Sequence, residues 1–185
     1  MGKKLSEMTL KELWTLFPIF LTAHQSCWKT WFEEERAFLE TLLPQAERIS
    51  HIGSTAIESI WAKPIIDILA EFPHDCSLQQ IRDICCRNGY ICMHQAPNRI
   101  SLNKGYTENG FADRVFHLHV RYCGDNDELF FRDYLNSHPE CAREYEELKL
   151  QLWKRFPNDR DGYTDAKTEL VKKLTAIAKK ESLNA

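Results

Sequence analysis

A glycine–serine pair marks the place where this chain could hold a phosphate. Gly53 and Ser54 follow the apolar-alternating stretch 48–52, a pattern that predicts a strand ending in a turn. Such a turn brings backbone N–H groups and a hydroxyl to one point, which suits phosphate oxygens. The pair is not a P-loop, since no Gly-Lys-Ser/Thr ending follows, and it is not a dinucleotide fingerprint, since the later glycines are absent. We therefore expect a phosphate site here, with the Ser54 hydroxyl as a candidate catalytic group.

A carboxylate in the next predicted strand, 65–72, could hold a cation against that phosphate. Side chains alternate across a strand, so Asp67 and Glu71 share a face opposite the apolar set Ile66, Ile68, Ala70 and Phe72. An unpaired buried carboxylate is costly, so Asp67 should face a cleft, a cation or a hydrogen-bond donor. Phosphoryl transfer with two metal ions usually needs two or three carboxylates, but Leu69 occupies the nearest position on the face of Asp67. The pattern predicts at most one divalent cation, Mg²⁺ or Mn²⁺, at Asp67.

Two histidines share one face of a third predicted strand, 115–121. Phe116, Leu118 and Val120 alternate with His117, His119 and Arg121. One hypothesis is that His117 and His119 bind a metal together with His51 and Asp67, since two histidines and a carboxylate suit zinc, iron or manganese. The other is that the histidines form hydrogen bonds in a cleft. A metal-dependent hydrolase would follow from the first hypothesis.

Composition limits the classes of partner. The net charge of -3 and pI near 6.2 give no global basic field, so we expect no non-specific binding to nucleic acid and only a local basic pocket. Seven cysteines with no CxxC pair indicate reduced thiols in a cytoplasmic protein. The apolar stretch 13–23 contains Pro18 and is too short to cross a bilayer, so no export or membrane anchoring is expected. Nothing in the sequence indicates the oligomeric state.

The order of elements predicts an α+β fold, layered in the α/β manner, in a single domain over 1–185. Thr9 and Glu12 form a capping-box pattern ahead of a short helix that Pro18 ends or kinks. Apolar residues recur at helical spacing up to Pro44, and we interpret this aromatic stripe as core. Ser77 caps a helix over 78–87. Strands are expected in the middle of the chain and helices at both ends, which favours a mixed sheet covered by helices.

The second half of the chain adds strands, a loop and three helices to this prediction. Strands are predicted over 90–93 and 100–102, and the turn-rich stretch 103–110 predicts a surface loop with Lys104 and Tyr106 as ligand contacts. Helices are predicted from Asp127, from Pro139, and from Asp161 or Thr164.

Several motifs together resemble the GrpB family, which is placed by fold within the nucleotidyltransferase superfamily. They are His51-Ile-Gly-Ser-Thr-Ala-Ile, Ala62-Lys-Pro-Ile-Ile-Asp67, Phe116-His-Leu-His-Val120, Phe131-Arg-Asp-Tyr-Leu135, Tyr145 with Lys149, and Tyr163-Thr with Lys167. The opening Leu13-Trp-Thr-Leu-Phe-Pro18 is similar to the Gram-positive bacterial branch of that family. The resemblance implies a nucleotidyltransferase-like mixed sheet flanked by helices, with N- and C-terminal helical supplements. Gly53-Ser54 would match the superfamily's turn and Asp67 its first carboxylate.

The resemblance also implies a set of ligand contacts. The ligand is expected to be a nucleotide or another phosphorylated small molecule, and the reaction nucleotidyl transfer with Mg²⁺ or Mn²⁺, or with Zn²⁺ as an alternative. The expected contacts are Gly53, Ser54, Thr55, Lys63, Arg132, Tyr145, Lys149, Tyr163 and Lys167. Arg132 is favoured because its planar guanidinium can hold a phosphate through two hydrogen bonds.

The sequence departs from the family pattern at two places. Glu58-Ser-Ile60 replaces the usual Pro-Gly-Leu and adds a negative charge near the expected phosphate site, and Leu69 replaces the second carboxylate. The third carboxylate position falls near the strand of His117 and His119. These departures keep a second hypothesis open, in which the chain is a non-catalytic ligand-binding or accessory domain on the same fold.

Overall fold

A computed structural model describes residues 3–183 and contains six helices and five strands in that range. In chain order the elements are α1 Leu10–Leu16, α2 Cys27–Leu42, β1 Arg48–Ile52, β2 Ile66–Phe72, α3 Leu78–Arg87, β3 Ile91–Ala96, β4 Arg99–Thr107, β5 Gly110–Tyr122, α4 Asp127–Ser137, α5 Pro139–Arg155 and α6 Arg160–Ser182. Two single-turn 3₁₀ helices, Leu5–Glu7 and Ser54–Ala56, complete the described secondary structure. In the described range, no helix combines the length and apolarity needed to cross a bilayer.

The five strands form one mixed sheet in the order β1-β2-β5-β4-β3. β2 and β5 are parallel and adjacent in the middle of the sheet, whereas the other neighbouring pairs are antiparallel. The parallel register places Asp67 opposite His117 and Leu69 opposite His119. This pairing places the side chains of Asp67, His117 and His119 next to one another on one face of the sheet.

Helices cover both faces of the sheet, and the apolar patterns decide which face each helix covers. The predicted apolar face of β2 packs against α2 and α3, where Trp28, Phe32 and Leu39 are buried, so the core interpretation of the aromatic stripe is confirmed. The opposite face lies under α4, whose Leu129 packs on Ile52 and Leu69. Helices α4 to α6 also pack together there. The predicted mixed sheet flanked by helices is therefore confirmed.

The short first helix has the ends that the sequence predicts. The Thr9 side chain accepts a hydrogen bond from the Glu12 N–H, and the Glu12 carboxylate accepts one from the Thr9 N–H at 2.7 Å, which completes the capping box. The helix ends at Leu16, before Pro18, so proline ends this helix and does not kink a longer one.

The predicted loop over 103–110 is wrong. Residues 103–107 continue β4, and only Glu108 and Asn109 form the turn into β5. Gly105 has φ +91° at an irregularity of the β4–β5 pairing, and a Cβ there would overlap the Arg114 carbonyl. Gly105 thus forms a bulge inside the hairpin. A glycine in the sequence does not by itself distinguish such a bulge from a loop. The last helix begins at Arg160, with Asp159 as its cap, and not at Asp161 or Thr164.

Candidate functional site

The turn after β1 is held in a conformation that only glycine adopts readily. Gly53 has φ 71° and ψ −171° and leads directly into the 3₁₀ turn Ser54–Ala56. A Cβ at Gly53 would overlap the Asp67 carboxylate, so the turn and β2 meet at this point. Thr55 fixes the turn from below, because its hydroxyl donates to the Ile65 carbonyl at 3.1 Å and contacts His51 Nε2 at 2.9 Å.

We expect Gly53→Ala to lower the free energy of unfolding by about 2–4 kcal/mol, because it adds backbone strain to a clash with Asp67. Urea denaturation measures this. The control is Gly89→Ala, since Gly89 also has a positive φ of 90° but has no atom within 4 Å of an added Cβ. That control should lose only about 1 kcal/mol. Equal losses of unfolding free energy in the two variants would show that the clash with Asp67 does not contribute to the effect at Gly53.

Asp67 starts a chain of hydrogen bonds that runs across the cavity floor. Asp67 Oδ1 lies 3.1 Å from His117 Nδ1, and His117 Nε2 lies 2.9 Å from the Tyr106 hydroxyl. Arg160 donates to the same hydroxyl oxygen at 3.1 Å. Since a carboxylate can only accept, the network assigns the ring proton to His117 Nδ1 and leaves Nε2 to accept from Tyr106. His119 Nε2 lies 3.7 Å from Asp67 Oδ1.

The charge states along this chain follow from burial and hydrogen bonding. Burial alone would raise the pKa of Asp67, but hydrogen bonds from His117 and His119 outweigh it and hold that pKa well below its usual range. Burial lowers the pKa of His117, against the opposing effect of Asp67, so the ring is neutral. Burial also raises the pKa of Tyr106. The site is therefore an ionised carboxylate with a neutral imidazole and a neutral phenol.

A cavity of about 710 Å³ opens above Asp67 and collects basic side chains from three parts of the chain. Lys63 precedes β2, Lys149 belongs to α5, and Arg160 and Lys167 belong to α6; the acidic side chains in the lining are Asp67 and Asp161. Within residues 3–183, none of the four basic side chains forms an ion pair with a carboxylate. The cavity is therefore a local basic pocket in a chain whose net charge is negative.

The lysines are held by aromatic rings and a carbonyl in place of carboxylates. Lys63 and Lys167 place their Nζ atoms 5.1 and 5.4 Å from the centroid of Tyr163, and Lys149 lies 4.8 Å from the centroid of Tyr145 and donates to the Trp61 carbonyl. Burial, reinforced by repulsion from Lys167, lowers the pKa of both Lys63 and Lys149 to about 7. Cationic groups without an anionic partner in a cavity are a ready site for an anion.

The wall of the cavity toward its mouth is apolar. It is formed by α1 and the edge strand β3, with Leu10, Leu13, Trp14, Ile91 and Met93 in the lining. Leu10, Ile91 and Met93 are exposed by 64%, 42% and 57%, although leucine, isoleucine and methionine are usually buried. The cavity therefore combines a cationic floor with an apolar entrance, which suits a ligand that has an anionic group and an apolar or aromatic body.

The structure brings most of the predicted site residues together. Gly53, Ser54, Thr55, Lys63, Asp67, His117, His119, Tyr145, Lys149, Tyr163 and Lys167 all line this cavity. Thr55 is 3% exposed and its hydroxyl is already bonded, so its side chain supports the turn and is not free to bind a ligand.

His51, Arg132 and Glu58 lie elsewhere, around a second cavity at the β1 edge of the sheet. His51 pairs with Ile68, so its ring points to the α2 side of the sheet, where it stacks on Phe32 at 4.7 Å. The structure therefore does not bring the His51 ring into the cavity above Asp67. Arg132 donates to the His51 carbonyl at 2.8 Å, so the preferred phosphate-binding residue of the sequence is not in the cationic cavity. The negative charge of Glu58 is also outside it.

Glu71, the second carboxylate on the face of Asp67, has a structural role at the other end of β2. It is 2% exposed and accepts hydrogen bonds from Arg48 at 2.5 Å and from Asn126 at 2.8 Å. In the described part of the chain, no group of three or more His, Cys, Asp or Glu side chains is arranged to hold a metal ion. The divalent cation expected from the sequence stays a prediction.

Two charged cavity residues were missed in the sequence. Arg160 and Asp161 lie at the start of α6, in a stretch that looks like a loop followed by a solvated helix. The sequence predicts Tyr106 as a ligand contact on a surface loop, but the structure places it in β4, from which it lines the cavity. Lys104, its predicted companion, instead pairs with Glu35 at 2.7 Å and does not line the cavity.

The site thus lies on a mixed five-stranded sheet with flanking helices, and a glycine–serine turn faces Asp67. Comparison with known proteins then gives the family. The model of the family described as "GrpB protein" matches residues 18–176, and the chain belongs to the GrpB family.

The matching proteins are bacterial and agree over most of this chain. The glutamate-rich protein GrpB of Alkalihalophilus pseudofirmus is 34% identical over 171 residues, which cover 84% of this chain and 93% of the relative. The UPF0157 protein YqkA of Bacillus subtilis is 32% identical over 184 residues, which cover 96% of this chain and 53% of YqkA, so the chain spans about half the length of that relative.

A solved structure of a family member shows the same fold. The crystal structure of the conserved protein GrpB from Enterococcus faecalis matches with a TM-score of 0.77 and 30% identity, over 89% of this chain and 99% of that chain. A structure of the Cid1 poly(U) polymerase with MgGTP bound matches with a TM-score of 0.47 and 15% identity, over 79% of this chain and 46% of that chain. The second likeness is too distant to carry a functional conclusion.

Proposed function

We propose that this protein binds a nucleotide or another phosphorylated small molecule in the cavity above Asp67. The observation that carries the proposal is the set of four basic side chains, Lys63, Lys149, Arg160 and Lys167, that line one cavity without a carboxylate partner. Burying unpaired cations is unfavourable for folding, so their presence calls for a ligand that compensates them. A polyphosphate supplies several negative oxygens and matches this arrangement.

The remaining cavity features fit the same class of ligand. The Ser54 hydroxyl lines the cavity and donates no hydrogen bond within the described residues, so it can donate to a phosphate oxygen. The apolar entrance formed by α1 and β3 would cover the rest of the molecule. His117, oriented by Asp67, is a neutral base whose Nε2 contacts the Tyr106 hydroxyl, so it would receive a proton through Tyr106 if a hydroxyl attacks the bound phosphorus. Nucleotidyl transfer is the reaction that these groups would serve.

A non-catalytic binding domain is the second candidate function, and one observation favours it. Leu69 is fully buried against Ile52 and Leu129, so the position next to Asp67 belongs to the core and does not act on a ligand. A panel of nucleoside triphosphates offered with an acceptor alcohol separates the two functions, since transfer releases pyrophosphate and binding alone does not.

The proposal is tested by thermal shift with nucleoside triphosphates, tripolyphosphate and coenzyme A precursors. We expect at least one of them to raise the melting temperature, and Lys167→Met to reduce the shift, while Lys173→Met leaves it unchanged because Lys173 is an exposed lysine on the same helix. Ser54→Ala should weaken binding by about 1 kcal/mol through one lost hydrogen bond. The absence of a shift across the whole panel would refute the proposal.

We also expect anion affinity to fall as the pH rises above neutrality. The pKa of Lys63 and of Lys149 is lowered from 10.5 to about 7, so both lose their charge in the free protein over the range in which an anion needs it. Each lysine then has to take up a proton on binding, and affinity should drop roughly tenfold to a hundredfold between about pH 6 and pH 8. Calorimetry with tripolyphosphate measures this fall in affinity. Sulfate keeps its charge over this pH range, so a parallel fall in its affinity, measured by competition, would show that the protein and not the ligand titrates.

Stability without ligand should change in the opposite direction. The unfolded chain keeps its lysines protonated up to their ordinary pKa of 10.5, so from about pH 7 upward it binds more protons than the folded chain. These two lysines therefore make the free protein more stable as the pH rises through that window, and urea midpoints measured along the same pH series should increase. A flat midpoint together with a flat affinity would contradict the lowered pKa of both groups.

A further inference from the structure

The carboxylates needed for a magnesium ion are missing from the floor of the cavity. Mg²⁺ takes oxygen ligands in near-octahedral geometry, usually from carboxylates and the phosphates of the ligand. The next same-face position after Asp67 is Leu69, and the residues opposite them on β5 are His117 and His119. The four central positions thus supply one carboxylate, two imidazoles and one alkyl side chain. This donor set does not fit a magnesium site.

Asp67 is also already engaged as a hydrogen-bond acceptor. One carboxylate oxygen lies 3.1 Å from His117 Nδ1 and 3.7 Å from His119 Nε2, and the other lies against the backbone of Gly53. A cation at Asp67 would compete with the imidazole proton that the carboxylate now accepts. The nitrogen of His117 that is free to accept faces the Tyr106 hydroxyl and not Asp67.

Positive charge is present in the cavity from another source. Lys63, Lys149, Arg160 and Lys167 come from three parts of the chain and converge on the same space, where they have no carboxylate partner in residues 3–183. Lys149 is only 2% exposed, so its ammonium group was moved out of water to reach this position. Phosphate charge can thus be neutralised by side chains alone.

We infer that the cavity binds its phosphorylated ligand without Mg²⁺, with the four basic side chains neutralising the phosphate charge in place of that cation. The inference rests on the proposed function and adds the ionic form of the ligand to it. Asp67 then has a different role from that of a metal ligand. Its negative charge repels the phosphate, and its hydrogen bond with His117 orients the imidazole ring.

The direct test compares two buffers in calorimetric titrations with ATP and with tripolyphosphate. One buffer contains EDTA and the other Mg²⁺ at matched ionic strength. Chelation by Mg²⁺ lowers the charge of the polyphosphate and occupies its oxygens, so we expect binding in EDTA to be tighter, by about tenfold if one charged hydrogen bond is recovered. Equal binding or tighter binding with Mg²⁺ would overturn the inference and leave the proposed function intact. No binding in either buffer would refute both.

Asp67→Asn provides a second test in which the two roles of Asp67 predict opposite signs. If Asp67 repels the anion, removing its charge should raise the affinity for tripolyphosphate in EDTA by about three- to tenfold. If Asp67 holds a cation, the substitution should weaken binding in Mg²⁺. Asp75→Asn is the matched control, because Asp75 is exposed and does not line the cavity. An Asp67→Asn affinity equal to or below that of the parent, in a variant with normal circular dichroism and melting, would contradict the inference.

Discussion

Replacing Lys63 and Lys149 together by methionine is expected to reduce the affinity for tripolyphosphate by a factor of about 10² to 10⁴. Each lysine supplies a charged hydrogen bond to the anion, worth about 1.5–3 kcal/mol in binding free energy, and the two losses should nearly add if the side chains bind different oxygens. Methionine keeps most of the length and volume of the lysine stem, so the cavity shape is preserved. Calorimetry at about pH 6, where both parent lysines are charged, gives the largest difference.

The same substitutions should not weaken the fold, and this distinguishes a binding role from a structural one. The Lys63 side chain forms no hydrogen bond or ion pair in the described chain, and burial of its charge opposes folding. Lys63→Met should therefore raise the free energy of unfolding, by about 1 kcal/mol. Lys149→Met gains less, because the Trp61 carbonyl loses its donor. Strong destabilisation of the double variant, with unchanged anion affinity, would place these lysines in the scaffold. Lys173→Met serves as the control for net charge.

Glu35→Ala is expected to lower the free energy of unfolding by about 3–5 kcal/mol, the largest effect on stability that we expect. Glu35 is 7% exposed and joins α2 to the sheet. It accepts from the Tyr90 hydroxyl at 2.7 Å and from Lys104 Nζ at 2.7 and 2.9 Å. Removing the carboxylate leaves the buried Tyr90 phenol without its acceptor and the Lys104 ammonium, whose side chain is 30% exposed, without its ion pair. Hydrogen bonds to a charged group contribute about 1.5–3 kcal/mol each, so these losses together reach the expected range.

The matched control for this variant is the neighbouring Glu34 on the same helix. Glu34 pairs with Arg114, but both side chains are about half exposed, at 54% and 46%. An exposed pair contributes at most about 1 kcal/mol, so Glu34→Ala should be nearly neutral. Urea denaturation of both variants, with tripolyphosphate binding as a check that the distant cavity is intact, completes the test. Similar losses of unfolding free energy in the two variants would show that burial does not determine how much the Glu35 cluster stabilises the fold.

The binding and stability predictions concern opposite faces of the same sheet. The α2 face carries a charged cluster, Glu35 with Lys104 and Tyr90, in which the carboxylate meets its donors inside the protein. The cavity face carries cations that meet no carboxylate. A chain with a net charge of -3 has enough carboxylates to pair these lysines, so their lack of a partner is a property of the site and not of the composition.

The sequence by itself determined the elements and the side of each strand on which a residue lies. Alternation in β2 separated Asp67 from the apolar face, and Thr9 with Glu12 marked the first helix, because these patterns depend on contacts within a few residues. The resemblance of the motifs to the GrpB family matched the Gly53-Ser54 turn to the superfamily and added the lysines to the expected ligand contacts. Local patterns failed where tertiary pairing outweighed them, as at Gly105, where a glycine that indicates a turn instead forms a bulge in a long hairpin.

Only the tertiary structure decided which of these residues share a cavity. Alternation placed His51 on one side of β1, but the pairing of His51 with Ile68 decided that this side faces α2 and not Asp67. Arg132 and Lys149 both look like basic residues on amphipathic helices, and the packing of α4 and α5 sends one to the sheet edge and the other into the cavity. The physical reason is that a site made from β2, β5, α5 and α6 depends on long-range strand register and helix packing. A local sequence pattern carries no information about either.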